Sequence, residues 1–255
     1  MAGRRIYGLV GHPLGHSFSR DFFNAAFERQ GIDAEYINFD IEDIGVLRRL
    51  VEDEPRLCGL NVTIPYKEKV VAFLDELDDT AKSVGAVNVI GITREGGKIS
   101  LKGYNTDIIG FADSFCCLLS DRAYAGTALV FGTGGAAKAA RRALEVNGIP
   151  VHQVSRHAAE GIYTYEDLRQ PGMIESFHVL VNATPLGTYP VTDGCVDIPY
   201  ERLTPAHICF DLVYNPPLTA FLTKCAAQGC AIKNGLEMLH RQALAAWRIW
   251  TGNDL

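Results

Sequence analysis

An apolar run, Ala128-Leu129-Val130-Phe131, passes directly into Gly132-Thr133-Gly134-Gly135-Ala136-Ala137 and then into an alanine-rich stretch that reads as a helix from Ala136 to Val146. No other segment restricts the fold as tightly. A buried strand, a glycine turn and a helix in immediate succession open a βαβ unit. The glycines let the backbone turn and approach a ligand closely, while the helix start offers unpaired N–H groups and the positive end of its dipole. The G-x-G-x-x-A spacing in that context predicts a pyrophosphate site at Gly132, Gly134, Gly135 and Ala136. Units of this kind that bind NAD place an acid about 20 positions on, against the ribose 2′-hydroxyl. Here the next strand, Val151 to Val154, runs into Ser155-Arg156-His157 with no Asp or Glu. A guanidinium fork suits a 2′-phosphate, so NADP is expected, with Arg156 on the phosphate.

Alternation of strands and helices extends along the chain. Arg5 to Val10 reads as a strand closed by Gly11-His12-Pro13. Arg20 to Gln30 reads as a helix because Phe22, Phe23, Ala26 and Phe27 recur at helical spacing, with Ser19 as N-cap and Gly31 as stop. Ala34 to Phe39 and Gly59 to Thr63 read as strands, and Ile44 to Val51 and Lys67 to Leu77 as helical segments. Further strands are expected at His178 to Val181 and Ile208 to Val213, and an apolar helix at Gly235 to Trp250. This order predicts an α/β fold with mainly parallel sheets. The 255 residues suffice for one large or two modest domains. No repeat or linker separates them, and the boundary is placed in a continuous helix around residues 107 to 120.

Composition closes off other classes. With 47% hydrophobic and 21% charged residues and a net charge of -6, the chain is ordinarily globular. No Lys/Arg run makes a nucleic-acid surface, and no stretch approaches the roughly 20 apolar residues of a membrane helix. The first residues lack the apolar core of a signal peptide. The odd, scattered cysteines show neither C-x-x-C nor zinc spacing and read as reduced thiols of a cytoplasmic protein, most of them small buried apolar residues. The histidines lack metal-ligand spacing, so no metal is expected, and His16 reads as a packing or loop histidine.

Asn61-Val62-Thr63-Ile64-Pro65-Tyr66-Lys67 is the most unusual segment. Pro65 fits the first position of a helix, which would put Lys67 in the first turn, where a cation opposes the macrodipole. A lysine there is either a small cost or a working acid–base group. Taken alone, a solvated lysine is an equal reading. Asp107, at the end of Gly103-Tyr104-Asn105-Thr106-Asp107, precedes a helix and by itself reads better as a cap or first-turn acid. Beside Lys67 it would orient the ammonium. Ser17 and Ser19 place alternate hydroxyls after the first strand, suited to a carboxylate or, for either one, to an N-cap.

Six segments in this order resemble the shikimate dehydrogenase family: Gly11-His12-Pro13 with His16-Ser17-Phe18-Ser19, Asn61 to Lys67, Gly85-Ala86-Val87-Asn88, Gly103 to Asp107, the glycine turn, and Gly235-Leu236-Glu237-Met238-Leu239 with Gln242. The resemblance covers nearly the whole chain. It implies reversible reduction of 3-dehydroshikimate to shikimate by NADPH, in the shikimate pathway of aromatic amino-acid biosynthesis. It implies an N-terminal α/β substrate domain, 1–107 completed by 235–255, and a Rossmann-like NADP domain, 108–234. Lys67 and Asp107 then become the catalytic pair, and Ser17 and Ser19 the carboxylate ligands. Asn61, Thr63, Asn88 and Gln242 line the hydroxyl and carbonyl side, and Tyr214 reaches the substrate from the cofactor domain. Gly235 and Met238 lie near the nicotinamide, and Ser155 joins Arg156 at the 2′-phosphate. A monomer or homodimer acting on a small molecule is implied.

Three positions depart from the commoner family pattern. Arg20 follows Ser19 where proline is usual, Val89 follows Asn88 where threonine is usual, and Ser155-Arg156-His157 replaces Asn-Arg-Thr. Other readings fare less well. A quinate/shikimate dehydrogenase preferring NAD calls for an acid after the second cofactor-domain strand. A non-catalytic NADP-binding sensor would have lost Lys67 or Asp107. A methylene-tetrahydrofolate type dehydrogenase has no use for the Ser17–Ser19 loop.

Overall fold

The computed structural model describes residues 3–15, 17–119 and 126–255. His16 and the end of the expected junction helix at Ser120 lie outside the described residues. The chain divides into two compact units, Met1–Thr106 with Gln242–Leu255, and Asp107–Arg241. Among the described residues no helix is long and apolar enough to cross a membrane.

The first unit runs β1 (Arg5–Gly11), α1 (Phe18–Gln30), β2 (Ala34–Asp40), α2 (Leu47–Asp53), β3 (Leu57–Val62), β4 (Glu76–Leu77), α3 (Asp79–Val84), β5 (Val89–Glu95) and β6 (Lys98–Tyr104). Its described strands form one sheet in the order β2-β1-β3-β5-β6-β4. The β1–β2, β1–β3 and β4–β6 pairs are parallel, and β5 joins β3 and β6 antiparallel. The β5–β6 hairpin turns at Gly96-Gly97, both at positive φ, the backbone that a tight two-residue hairpin demands. Rings of Tyr7, Phe23, Phe27, Tyr36 and Trp247 form a buried cluster on one face, each contributing about 1.5–3 kcal/mol by burial.

Two local expectations are corrected. The N-cap of α1 is Ser17, whose Oγ accepts from the N–H of Arg20, while Ser19 lies inside the first turn. Lys67 to Leu77 is not one helix. Pro65 sits in a turn, Lys67 precedes a short 3-10 helix at Lys69–Phe73, and Glu76–Leu77 is a strand. The backbone N–H of Asp75 donates to Leu101, and its carboxylate accepts from the N–H of Leu101. Pairing with β6 therefore overrides an apolar spacing that looks helical, and the macrodipole argument for Lys67 falls away.

The second unit runs α4 (Asp107–Leu119), β7 (Thr127–Phe131), α5 (Gly135–Val146), β8 (Val151–Ser155), β9 (Ile162–Thr164), β10 (Phe177–Asn182), β11 (Ile208–Asp211), α6 (Ala220–Ala227) and β12 (Ala231–Lys233). A last helix, α7 (Leu236–Thr251), starts in this unit and ends in the first. The sheet order is β12-β11-β10-β7-β8-β9, all parallel. Counted within the unit, this is the 3-2-1-4-5-6 order of doubly wound dinucleotide folds. Small side chains at Ala137, Ala140 and Ala143 let α5 pack on the buried strand residues Ala128 and Val130. Cys209, Cys225 and Cys230 are buried as expected, but Cys116 and Cys117 are exposed and Cys58 and Cys195 half-buried, so burial accounts for fewer thiols than composition suggests.

Candidate active site

Strands β1, β2 and β3 run parallel, so their carboxyl ends share one edge of the first sheet. Antiparallel β5 begins there, with Val89 opposite Asn61. Gly11 lets β1 end close to this edge: an added Cβ would stand 2.5 Å from Thr63 Cγ2 and 3.0 Å from the Ile64 carbonyl oxygen. The edge gathers most of the residues expected on the substrate side. Ser17 and Ser19 start α1, Asn61 is next to last in β3 with Thr63 just beyond it, and Asn88 precedes β5. Lys67 is half-buried in the turn after β3, and its carbonyl accepts from the N–H of Val87 at 2.7 Å.

A buried hydrogen-bond group ties these elements together. Asn61 Nδ2 donates to the Asn88 carbonyl at 3.3 Å. Asn88 Nδ2 donates to Thr106 Oγ1 at 3.0 Å and to Gln242 Oε1 at 2.8 Å, while Asn88 Oδ1 accepts from the N–H of Thr106 at 2.7 Å. Gln242 therefore has its carbonyl oxygen engaged and its amide nitrogen left to donate elsewhere. Asp107, the residue after Thr106, is the first of α4 and is buried. Tyr36 belongs to the same group although sequence reasoning did not single it out. Its Oη donates to Asn61 Oδ1 at 2.7 Å, and burial pushes its hydroxyl well above the usual tyrosine range.

The glycine turn lies in the second unit, where β7 ends beside β10. Gly132 has a φ of 109°, and a Cβ there would meet the Ala183 carbonyl oxygen at 3.2 Å. Its N–H donates to Val154 and its carbonyl accepts from Gln153 Nε2 at 3.1 Å. Arg141 in turn donates to Gln153 Oε1 at 3.1 Å, a brace that the motif itself does not reveal. Gly134 caps α5 without a side-chain hydrogen bond, and a Cβ there would meet nothing within 4 Å. Gly135 and Ala136 open the helix, so their N–H groups have no partner within it.

Ser155 ends β8, with its Oγ accepting from the N–H of His157 at 3.2 Å, and Arg156 follows it, exposed. Beyond β11, Asp211 accepts from Asn182 Nδ2, the N–H of Val213 and Thr219 Oγ1. Burial outweighs these donors and raises its carboxyl to about 6. Tyr214 follows, half-buried, and burial raises its hydroxyl. Gly235 is a glycine for packing reasons: an added Cβ would lie 2.1 Å from the Leu212 carbonyl oxygen. Met238 is buried against Phe111 and Phe210.

A parallel sheet in this order, with a glycine turn at its switch point, defines a dinucleotide-binding protein of the Rossmann type. A family model described as the shikimate dehydrogenase substrate binding domain matches residues 9–90. The chain is 38% identical over 276 residues to a shikimate dehydrogenase (NADP(+)) of Chlorobaculum tepidum, covering 99% of this chain and 92% of the relative. Its structure is similar to that of shikimate 5-dehydrogenase from Thermus thermophilus in complex with NADP(H) and shikimate, with a TM-score of 0.81, 31% identity, and 98% and 94% of the two chains covered. Quinate dehydrogenase from Corynebacterium glutamicum in complex with NAD aligns at a TM-score of 0.85 with 26% identity, over 99% and 95%. The chain belongs to the shikimate dehydrogenase family.

Proposed function

We propose that this chain is an NADP-dependent shikimate dehydrogenase that reversibly reduces 3-dehydroshikimate to shikimate, in the shikimate pathway of aromatic amino-acid biosynthesis. The observation that carries the reading is the convergence of Asn61, Asn88 and Gln242, from three parts of the chain, in one buried hydrogen-bond group at the strand ends of the first unit. In this reading residues 1–107 with 235–255 take the substrate, and residues 108–234 take NADP.

The residues present fit NADP. Gly134 is not required by the protein's own packing, and Arg156 makes no ion pair among the described residues. Gly132, Gly134, Gly135 and Ala136 bring N–H groups to the pyrophosphate, Ser155 and Arg156 hold the 2′-phosphate, and Gly235 and Met238 lie toward the nicotinamide. NADPH, when bound, supplies a hydride to the substrate's carbonyl carbon. Negative charge then builds on the carbonyl oxygen, and Lys67 Nζ stabilises it and donates the proton; in the reverse direction Lys67 takes the proton back. Asp107 accepts a hydrogen bond from a substrate hydroxyl and completes the catalytic pair.

Ser17 and Ser19 donate to the substrate carboxylate. The Oγ of Ser17 already accepts as an N-cap, which leaves its hydrogen to donate. The N-terminus of the 13-residue α1 adds its dipole at the same place. Asn61, Thr63 and Asn88 face the hydroxyl side, Gln242 offers its amide nitrogen, and Tyr214 contacts the substrate. The protein acts in the cytoplasm as a monomer or homodimer. Nicotinamide absorbance, followed with shikimate and quinate each against NADP and NAD, tests the assignment. Turnover is expected with shikimate and NADP. Preference for quinate with NAD, despite Arg156, would overturn it.

A further inference from the structure

Asn61, Asn88 and Gln242 belong to separate segments, and one tyrosine outside the motifs bonds directly to the first of them. Tyr36 lies in β2 and is 1% exposed. Its backbone is held on both sides by Asn24 of α1, with Nδ2 donating to the Tyr36 carbonyl at 2.8 Å and Oδ1 accepting from its N–H at 2.9 Å. Its ring stacks on Phe23 at 4.8 Å. The position of Oη is thus set by framework contacts.

The direction of each hydrogen bond follows from one group that has no choice. The Asn88 backbone carbonyl can only accept, so Asn61 Nδ2 must face it and Asn61 Oδ1 must face Tyr36. Tyr36 Oη must then donate to Asn61. Its own oxygen is left to accept. The second hydrogen of Asn61 Nδ2 remains for another acceptor. We propose that Tyr36 is a positioning residue for the substrate: its hydroxyl, together with the Asn88 carbonyl, fixes which way the Asn61 amide points before the substrate arrives. This rests on the assignment of Asn61 to the substrate.

Tyr36→Phe removes one oxygen and keeps the ring that packs on Phe23. Without its donor, buried Asn61 Oδ1 is unpaired, and only the 3.3 Å bond to the Asn88 carbonyl is left to hold the amide against turning. The KM for shikimate is expected to rise about 5- to 150-fold, the equivalent of one buried unsatisfied acceptor. The KM for NADP and kcat stay near wild type, a split that general loosening of the fold would not produce. In an Asn61→Ala background the same substitution should change the shikimate KM by less than about twofold, because the group it positions is gone.

An unchanged shikimate KM in Tyr36→Phe, or an equal effect in the Asn61→Ala background, overturns the proposal. The comparison with Ser19→Ala and Asn61→Ala identifies the level of failure. If these raise the shikimate KM and Tyr36→Phe does not, only the positioning role is lost. If neither raises it, the substrate assignment itself fails and the role of Tyr36 falls with it.

Discussion

Replacing Gly134 by alanine separates what the fold requires of the glycine turn from what a ligand requires. Gly134 has φ -76° and ψ 179°, extended values open to any residue, and a Cβ would meet nothing within 4 Å. Alanine restricts the unfolded chain, a gain of about 0.4–1 kcal/mol, but is a poorer N-cap than glycine by a comparable amount. The two offset, so the melting temperature should move by no more than about 2–4 °C. On the ligand side, the new methyl stands where the backbone must approach a pyrophosphate. Losing one charge-assisted hydrogen bond of about 1.5–3 kcal/mol weakens NADPH binding by about 10- to 150-fold. Gly132→Ala provides the contrast: its φ of 109° and the 3.2 Å approach to Ala183 make alanine costly to the protein itself. Circular dichroism melts and NADPH fluorescence titrations on both variants measure the two effects. Wild-type affinity in Gly134→Ala, or a melting temperature as low as that of Gly132→Ala, would refute the reasoning.

Three further substitutions probe separate parts of the structure. Lys67→Ala should lower kcat by about 10²–10⁴-fold, the range for loss of an acid–base group; full turnover would remove Lys67 from the mechanism. Arg156→Ala should raise the KM for NADPH by about 10- to 150-fold, from loss of a charge-assisted bond to phosphate, with little effect on NADH, and equal loss for both nucleotides would mean that Arg156 does not read the phosphate. Gly235→Ala forces a Cβ into the Leu212 carbonyl oxygen and disturbs the bond from the Gly235 N–H to Val213. Overpacking of this kind costs about 1–3 kcal/mol, visible as a fall in melting temperature of several degrees, and an unchanged melt would show that the helix start yields easily.

The parts legible in sequence are those whose logic is contiguous. Strand β7, the glycine turn and α5 follow one another without interruption, so spacing alone locates them, and the absence of an acid after β8 needs only the next few residues. The β5–β6 hairpin also left a local mark, Gly96-Gly97 between two alternating runs, which sequence reasoning passed over. The stretch from Lys67 to Leu77 misleads for the opposite reason. Val70, Val71, Leu74 and Leu77 recur as in a helix, but the decisive partner of Asp75 is Leu101, far along the chain. Tyr36 carried no local mark: its hydroxyl acquires meaning only through Asn61, 25 positions on.

Hydrogen-bonding capacity sorts the remaining candidates on physical grounds. Asp211 accepts from three donors within its own unit and sits against Thr219 at 2.6 Å, so its task is to fix the chain after β11, where Val213 and Tyr214 follow. Asn88 Nδ2 donates to Thr106 and Gln242, and its Oδ1 receives the N–H of Thr106. Gln242 has its Oε1 anchored and two N–H hydrogens to give. The same counting explains Val89, which stands where threonine is usual. It opens β5 fully buried and opposite Asn61, so the branched hydrocarbon fills core volume at a position where a hydroxyl would need a partner of its own.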